Sequence, residues 1–203
     1  MNDLLRRNIR KKRRALSSAK QRSAKYGLTD VLYRTINLGK PDRLAFYIAN
    51  DGEIDPSRLI INSLKQNKSC YLPVLHPLQQ KRLYFVRYLR STSLSNNRFD
   101  IPEPSLVISK ITPPWALDII FLPLVAFDRR GSRLGMGSGY YDRTLARCHG
   151  ASSCKPLLVG LAHSFQEVNH LQTSAWDIPM DMIATEKELI IVDPSRTRGG
   201  ATK

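Results

Sequence analysis

The stretch that most restricts how this chain can fold is 127–143, Phe-Asp-Arg-Arg-Gly-Ser-Arg-Leu-Gly-Met-Gly-Ser-Gly-Tyr-Tyr-Asp-Arg. It follows the apolar run 119–125, which reads as a buried strand, and leads into 140–147, which reads as a short helix. A strand, a glycine-rich turn and a helix start together leave backbone N–H groups free to hold an anion. Gly135, Gly137 and Gly139 fall at alternate positions, so the backbone there can take positive φ and approach a ligand without intervening Cβ atoms. The same spacing suits a flexible turn that binds nothing. Neither known phosphate fingerprint matches: no lysine follows the glycines as in a Walker loop, and Tyr140 stands where G-x-G-x-x-G needs its third glycine. Arg133 and Asp142, on either side, favour the phosphate reading, because one can pair phosphate oxygens and the other can hold Mg²⁺ between them. Asp142 is also explained as a carboxylate in the first turn of a helix, stabilised by the dipole.

Length and charge set the outer bounds. The chain has 203 residues, 42% of them hydrophobic, enough for one well-buried core and few for two. A single domain over 1–194 is expected, with 195–203 a Gly/Arg-rich, disordered tail. The formal net charge of +15 attracts polyanions whatever the function, so a nucleic-acid-binding module is the main rival to a nucleotide-using enzyme. The aromatics form no alternating RNA-recognition strand and no helix-turn-helix or zinc spacing is present, so no specific nucleic-acid partner is expected. Cys70, Cys148 and Cys154 are odd in number and lack metal spacing, which fits reduced thiols in the cytoplasm. No apolar run is long enough for a membrane span.

In chain order, 2–25 reads as one helix, with Leu4, Leu5, Ile9, Leu16 and Ala19 on a sparse apolar side and many basic residues elsewhere. Residues 43–49 read as a strand, and 55–66 as a helix with Asp55 as N-cap and Pro56 at its first position. Between them, Asn50-Asp51-Gly52-Glu53 reads as an acidic βα turn. Strands follow at 69–75 and 81–90, then a proline-stiffened loop at 97–104 in which Phe99 and Glu103 are weak candidates for the substrate side. His76 reads as structural. Strands at 157–162 and 188–192 complete a pattern that implies a three-layer α/β/α sandwich around a mostly parallel sheet.

The motif Arg133-Leu134-Gly135-x-Gly137-x-Gly139-Tyr140-Tyr141-Asp142, after a strand ending in Phe127-Asp128, resembles the signature of the 5-formyltetrahydrofolate cyclo-ligase family, also called methenyltetrahydrofolate synthetases. The resemblance extends over nearly the whole chain. It implies a fold similar to that of CoA transferases and phosphosugar isomerases, with the candidate residues on one rim of strand carboxyl ends. It also implies ATP-dependent closure of 5-formyltetrahydrofolate to 5,10-methenyltetrahydrofolate, with ADP and phosphate released; a monomer is expected. The formyl oxygen would be phosphorylated and N10 would attack.

By the resemblance, Arg6-Arg7-Asn8-Ile9-Arg10 stands where members carry a Lys-x-x-Leu-Arg pattern that serves the ATP phosphates, together with Arg133, Leu134 and the loop Gly135, Met136, Gly137, Ser138, Gly139, Tyr140 and Tyr141. Arginine at Arg6 keeps the charge of the usual lysine with a different hydrogen-bond geometry. Met136 and Ser138 occupy positions that are basic in some members. Glu53 matches an acid facing the formylated pterin, with Ile48 part of the wall and 136–140 also on the substrate. Its carboxylate could bond a pterin N–H or steer the reacting nitrogen, and both roles stay open. Glu53, Arg133 and Tyr140 are the expected catalytic residues. Asp142 and Asp181 are the expected Mg²⁺ ligands, with Asp177 a structural acid.

Overall fold

A computed structural model describes residues 2–36, 40–107, 110–148, 156–174 and 176–193. The tail expected to be disordered and Cys154 lie outside these residues. Four α-helices are described: α1 (Asn2–Arg14), α2 (Ser18–Thr35), α3 (Ser57–Lys65) and α4 (Tyr140–Leu145). The central sheet is built from β1 (Arg43–Ala45), β2 (Ser69–Leu75), β3 (Leu83–Tyr88), β6 (Ile111–Thr112), β7 (Ile119–Pro123), β10 (Leu157–Leu161), β11 (Met182–Ala184) and β12 (Leu189–Ile191). Two small hairpins stand apart, β4 (Leu94–Asn96) with β5 (Pro102–Pro104), and β8 (Ala126–Phe127) with β9 (Arg133–Leu134).

The sheet order is β12-β11-β10-β7-β1-β2-β3-β6. The five middle strands run parallel, while β12, β3 and β6 pair antiparallel at the flanks. Both faces are covered, which is why the central strands read as unbroken apolar runs rather than as alternating ones. Leu44, Cys70, Leu72, Ile119, Phe121, Val159 and Leu161 point to the face covered by α2 and α3, where they meet Leu28, Leu32 and Leu59. Their neighbours Ala45, Tyr71, Ile120, Leu122 and Leu158 point to the other face, under Leu145 and Cys148 of the α4 region and the segment carrying Ile178 and Met180. This is the three-layer arrangement with a mostly parallel sheet that the strand pattern implies.

Three local readings change. The basic segment 2–25 is two helices: the Ser17 side chain accepts from the Lys20 N–H at 3.4 Å and starts α2, which runs on to Thr35. A serine pair after Leu16 is N-cap chemistry, and it overrides the continuous helical pattern. Helix α3 begins one residue late, because Pro56 takes the cap position, while Asp55 still caps from one residue upstream by accepting the Ser57 N–H at 2.8 Å. The segment 97–104 is the turn and return strand of the β4–β5 hairpin rather than a plain loop. His76 is structural, its Nδ1 accepting the N–H groups of Leu78 and Gln79 at 3.1 and 2.8 Å. Cys70 and Cys148 are buried and unpaired. Among the described residues no helix is long and apolar enough to cross a membrane.

Because the five middle strands are parallel, their carboxyl ends share one rim. The turn 50–53 follows β1 there, Leu124 follows β7, His163 follows β10 and Glu186 follows β11.

Candidate functional site

The turn after β1 is the most heavily tied part of this rim. Asp51 and Gly52 both lie in the left-handed region, at φ 53° and 74°, and the Glu53 N–H closes the turn on the Asn50 carbonyl at 3.0 Å. Asp is one of the few residues with a side chain that tolerates this conformation. A Cβ on Gly52 would stand 2.8 Å from the Arg13 carbonyl, so the turn and the end of α1 touch backbone to backbone. Two side chains converge on the Gly52 carbonyl, Gln21 Nε2 and His163 Nε2, each at 3.1 Å. A carbonyl only accepts, so His163 carries its proton on Nε2; burial lowers its pKa and keeps the ring neutral near pH 7.

Helix α1 lies against this turn through arginine. Arg13 is fully buried, at 0% exposure. Its Nη2 donates to Asp51 Oδ2 at 2.7 Å, its Nε to the Asp51 carbonyl at 3.1 Å and its Nη1 to the Leu124 carbonyl at 3.2 Å. Arg10 Nε donates to the same Asp51 Oδ2 at 2.7 Å, and Arg14 Nε to Asp51 Oδ1. Burial pushes the Asp51 carboxyl up, but the three guanidinium partners outweigh it and hold the pKa at about 2. Glu53 stands beside this cluster with its Oε1 3.9 Å from Arg13 Nη1. Its Oε2 accepts the Asn50 N–H at 3.1 Å. Burial dominates here and raises the Glu53 pKa to about 7, even with Arg13 nearby. Tyr47 and Tyr141, both near enough to feel the Glu53 charge, have their hydroxyl pKa values raised by burial and then by that carboxylate.

The glycine loop is shaped differently. Asp128, fully buried, organises its approach: Oδ1 accepts the N–H groups of Arg130 and Ser132 at 3.0 and 3.1 Å, and Oδ2 accepts the Leu171 N–H at 3.0 Å. Leu134 is buried with Ile9 of α1, Val125, Ala126 and Leu171, so the β8–β9 hairpin lies beneath α1. Beyond Leu134 the residues 135–138 are exposed. Gly137 and Gly139 take positive φ, 93° and 67°. Gly135 does not need to be glycine for either reason: its φ is not positive and a Cβ there would meet nothing within 4 Å. Its carbonyl accepts Arg6 Nε at 2.8 Å, which brings the Arg6 guanidinium over the loop.

Arg133 is nearly buried; its Nη2 pairs with Asp142 Oδ1 and its Nη1 donates to the Ile178 carbonyl. Burial lowers the Arg133 pKa, against the pull of Asp142 and Asp177. Asp142 Oδ1 also accepts the Ile178 N–H at 3.3 Å. Arg98 Nη2, from the β4–β5 hairpin, donates to the Tyr140 hydroxyl at 2.6 Å, and Phe99 meets the Tyr140 ring edge-on at 5.8 Å. Phe99 therefore sits against the loop, whereas Glu103 serves the hairpin itself, accepting from Leu75 N and Asn97 Nδ2 at 3.1 and 2.9 Å.

The structure thus gathers Arg6, Arg10, Ile48, Glu53, Arg133, Tyr140, Tyr141 and Asp142 into the turn, helix and loop around this rim. Arg7 and Asn8 are exposed and Ile9 is a buried anchor. Asp181 departs from the one-rim expectation. It precedes β11, its carboxylate accepts the Leu158 N–H at 2.8 Å, and Leu158 is the second residue of β10, so it lies near the amino ends of these strands. Asp177 is structural, accepting the Ser174 N–H at 2.8 Å. Among the described residues no three His, Cys, Asp or Glu side chains form a metal cage. A lone carboxylate at Asp142 fits a Mg²⁺ held chiefly by a ligand's phosphates.

The sequence reading missed Arg13, the role of Asp51, and Arg98. A signal for the first was present: Arg6, Ile9, Arg10 and Arg13 recur at the three-to-four spacing of one helical face, and the apolar member marks that face as the inward one.

A model of the 5-formyltetrahydrofolate cyclo-ligase family matches residues 1–186. A Haemophilus influenzae 5-formyltetrahydrofolate cyclo-ligase is 43% identical over 176 residues, covering 87% of this chain and 92% of its own. The Escherichia coli K12 protein of the same name is 36% identical over 181 residues, covering 89% and 98%. The solved structure of the Aquifex aeolicus 5,10-methenyltetrahydrofolate synthetase superposes with a TM-score of 0.80 at 33% identity, covering 100% of this chain and 95% of the other.

Proposed function

The chain belongs to the 5-formyltetrahydrofolate cyclo-ligase family, and from that premise we propose how its own residues serve the reaction. It is an enzyme that converts 5-formyltetrahydrofolate to 5,10-methenyltetrahydrofolate with ATP as co-substrate. The chemical difficulty is the formyl oxygen, which an amide-like carbonyl gives up reluctantly. In the proposed sequence that oxygen attacks the γ-phosphorus of ATP; the new O–P bond forms as the bond to ADP breaks, and an iminium phosphate results. N10 then adds to the formyl carbon and loses its proton, and the C–O bond breaks to release inorganic phosphate.

Transfer of this kind needs cations on the phosphates and accurate placement more than covalent help from the protein. Arg6 and Arg10 on α1, Arg133 and the amides of 135–139 supply the positive ends. Mg²⁺, where bound, would be held by Asp142 and would neutralise phosphate charge. Asp181, committed to a strand amino end, is read as structural. Ile48, Glu53 and 136–140 hold the folate, with Tyr140 and Tyr141 against its ring. Glu53 is suited to take the N10 proton, since a carboxyl with a pKa of about 7 can both accept and release one near neutrality. That nearly buried carboxyl, beside the arginine-bearing helix and close enough to Tyr141 to raise its pKa, is the observation that carries the assignment. We further place the protein in the cytoplasm as a monomer, with 1–194 as one domain.

The test is direct: purified protein, Mg-ATP and 5-formyltetrahydrofolate are mixed and the near-ultraviolet absorbance of the methenyl product is followed. Asp142→Ala is expected to lower kcat/KM about 10²-fold. A wild-type rate in that variant removes Asp142 from the phosphate site.

A further inference from the structure

Helix α1 carries the two cations assigned to the phosphates, yet it has only two buried side chains, Ile9 and Arg13. A thirteen-residue helix this polar has little tendency to persist alone in water, so its conformation and position depend on what it is docked to. Apart from Ile9 and the half-buried Leu5, which sit in the small cluster with Leu134, the strong attachments run to one carboxylate. Asp51 receives Arg10, Arg13 and Arg14, from three positions along the last turns of the helix.

Two details give this attachment a function beyond anchoring. Arg10 is bound to Asp51 through Nε, the inner nitrogen, so the carboxylate fixes the plane in which the two terminal nitrogens of the fork are presented. Arg13 reaches past Asp51 to the Leu124 carbonyl and lies 3.9 Å from Glu53, so the same guanidinium touches the helix bearing the phosphate cations, the turn bearing the folate-side acid and the end of β7 that leads to the glycine loop. Burying the Arg13 guanidinium against a partly exposed Asp51 is expensive in desolvation and is no efficient way to gain stability; the arrangement gains a single geometry.

We propose that Asp51 and Arg13 are positioning residues that couple the nucleotide half of the site to the folate half, by fixing α1 and the turn 50–53 as one body. The inference rests on the assignment of Arg6 and Arg10 to ATP and of Glu53 to folate. Its consequence is reciprocal. A ligand that orders α1 against the turn also prepares Glu53 for the other ligand, so each binds more tightly in the presence of its partner, and by linkage the two factors are equal.

The experiment measures dissociation constants of a non-hydrolysable ATP analogue with Mg²⁺, with and without 5-formyltetrahydrofolate, and of the folate with and without the analogue. Wild type is expected to show mutual tightening of about fivefold or more. In Asp51→Asn the tightening should fall towards onefold and the KM for ATP should rise at least about tenfold, while folate affinity without nucleotide stays within about threefold. Arg13→Lys keeps a cation but cannot span three acceptors, and should lose the coupling in the same way. Hydrogen exchange of the α1 amides, read on the folded variants, should accelerate selectively over 2–14.

Coupling that persists at the wild-type level in both variants overturns the proposal, as does a uniform loss of both affinities with α1 exchange unchanged. Should Asp51→Asn fail to fold, Arg13→Lys decides by the same readouts. Arg14→Ala, which removes the most exposed of the three partners, should change the coupling less than about twofold, and a loss equal to that of Asp51→Asn would reduce the clamp to bulk charge. If instead wild type forms no methenyl product, the underlying assignment fails and not the coupling alone.

Discussion

The turn 50–53 follows β1, and the loop 135–139 follows the β8–β9 hairpin that succeeds β1's parallel neighbour β7; both use positive φ, yet they are built on opposite principles. In the turn almost every polar group is engaged: Asp51 by three arginines, the Gly52 carbonyl by Gln21 and His163, Glu53 by a backbone N–H. In the loop the residues 135–138 are exposed, and the polar contacts that reach them come from outside, Arg6 to the Gly135 carbonyl and Arg143 to the Ser138 carbonyl at 2.9 Å. The turn is thus held by the protein's own polar contacts, most of them from helix α1, and its carboxyl has its pKa moved by that environment. The loop offers backbone that a triphosphate can organise. The two regions thus differ in what holds them: the protein's own side chains in the turn, and little beyond two arginines in the loop.

The contrast can be broken at either end. The largest effect is expected at Glu53→Gln, which keeps the shape and removes the titrating group: kcat should fall about 10²- to 10³-fold in the methenyl absorbance assay, with a much smaller change in KM for ATP. A loss below tenfold would mean that the buried carboxyl only shapes the pocket. Next, Gly137→Val forces a β-branched side chain to φ 93° and should weaken nucleotide binding about tenfold by equilibrium titration, with a smaller loss of folate affinity because 136–140 is assigned to both ligands. The same variant tests whether the loop is as adaptable as its exposure suggests, since an unchanged affinity would mean that the strain is absorbed.

A third prediction concerns stability. The Glu53 pKa of about 7 lies above its unfolded value of about 4.5, so the folded state binds more protons between those two pH values and stability falls as pH rises through that window. The full penalty, about 3 kcal/mol from the size of that displacement, is present above pH 7 and absent below about pH 4.5. Glu53→Gln should therefore melt about 5 °C or more above wild type at pH 8, with the gap closing towards pH 5. A constant gap across that range would show that the carboxyl is not desolvated. The smallest effect belongs to Gly135→Ala, where φ is not positive and a Cβ meets nothing within 4 Å; nucleotide affinity should move less than about twofold.

The glycine loop was the easiest part to read, because a glycine-rich turn leaves a local mark: glycines at close spacing between a strand and a helix. Even so, spacing made all three glycines look alike, and only the backbone angles separate Gly137 and Gly139 from Gly135. The turn was harder. Asp51 and Glu53 stand two apart in an ordinary acidic turn, and nothing local says that one is held near pH 2 and the other near pH 7. That divergence comes from burial at Glu53 and from Arg10, Arg14 and Arg13 at Asp51, all on a helix far upstream; Arg13 is thirty-eight positions away.

The sequence alone determined what is local or periodic. The apolar runs specify buried parallel strands, because a strand covered on both faces cannot alternate; the glycine motif specifies a phosphate-suited turn; and the full length of the motif specifies the family. Tertiary structure decided which charges face inward and what they meet. Asp142 and Asp181 were both expected metal ligands from their motifs, but chain direction in the sheet puts one beside the glycine loop and the other near the strands' amino ends. The basic helix showed its cations but not their partner until the fold placed an aspartate against three of them. Such pairings depend on strand order and helix docking, which bring together residues far apart in the chain, and a carboxylate or guanidinium takes its properties from those neighbours rather than from its own position in the sequence.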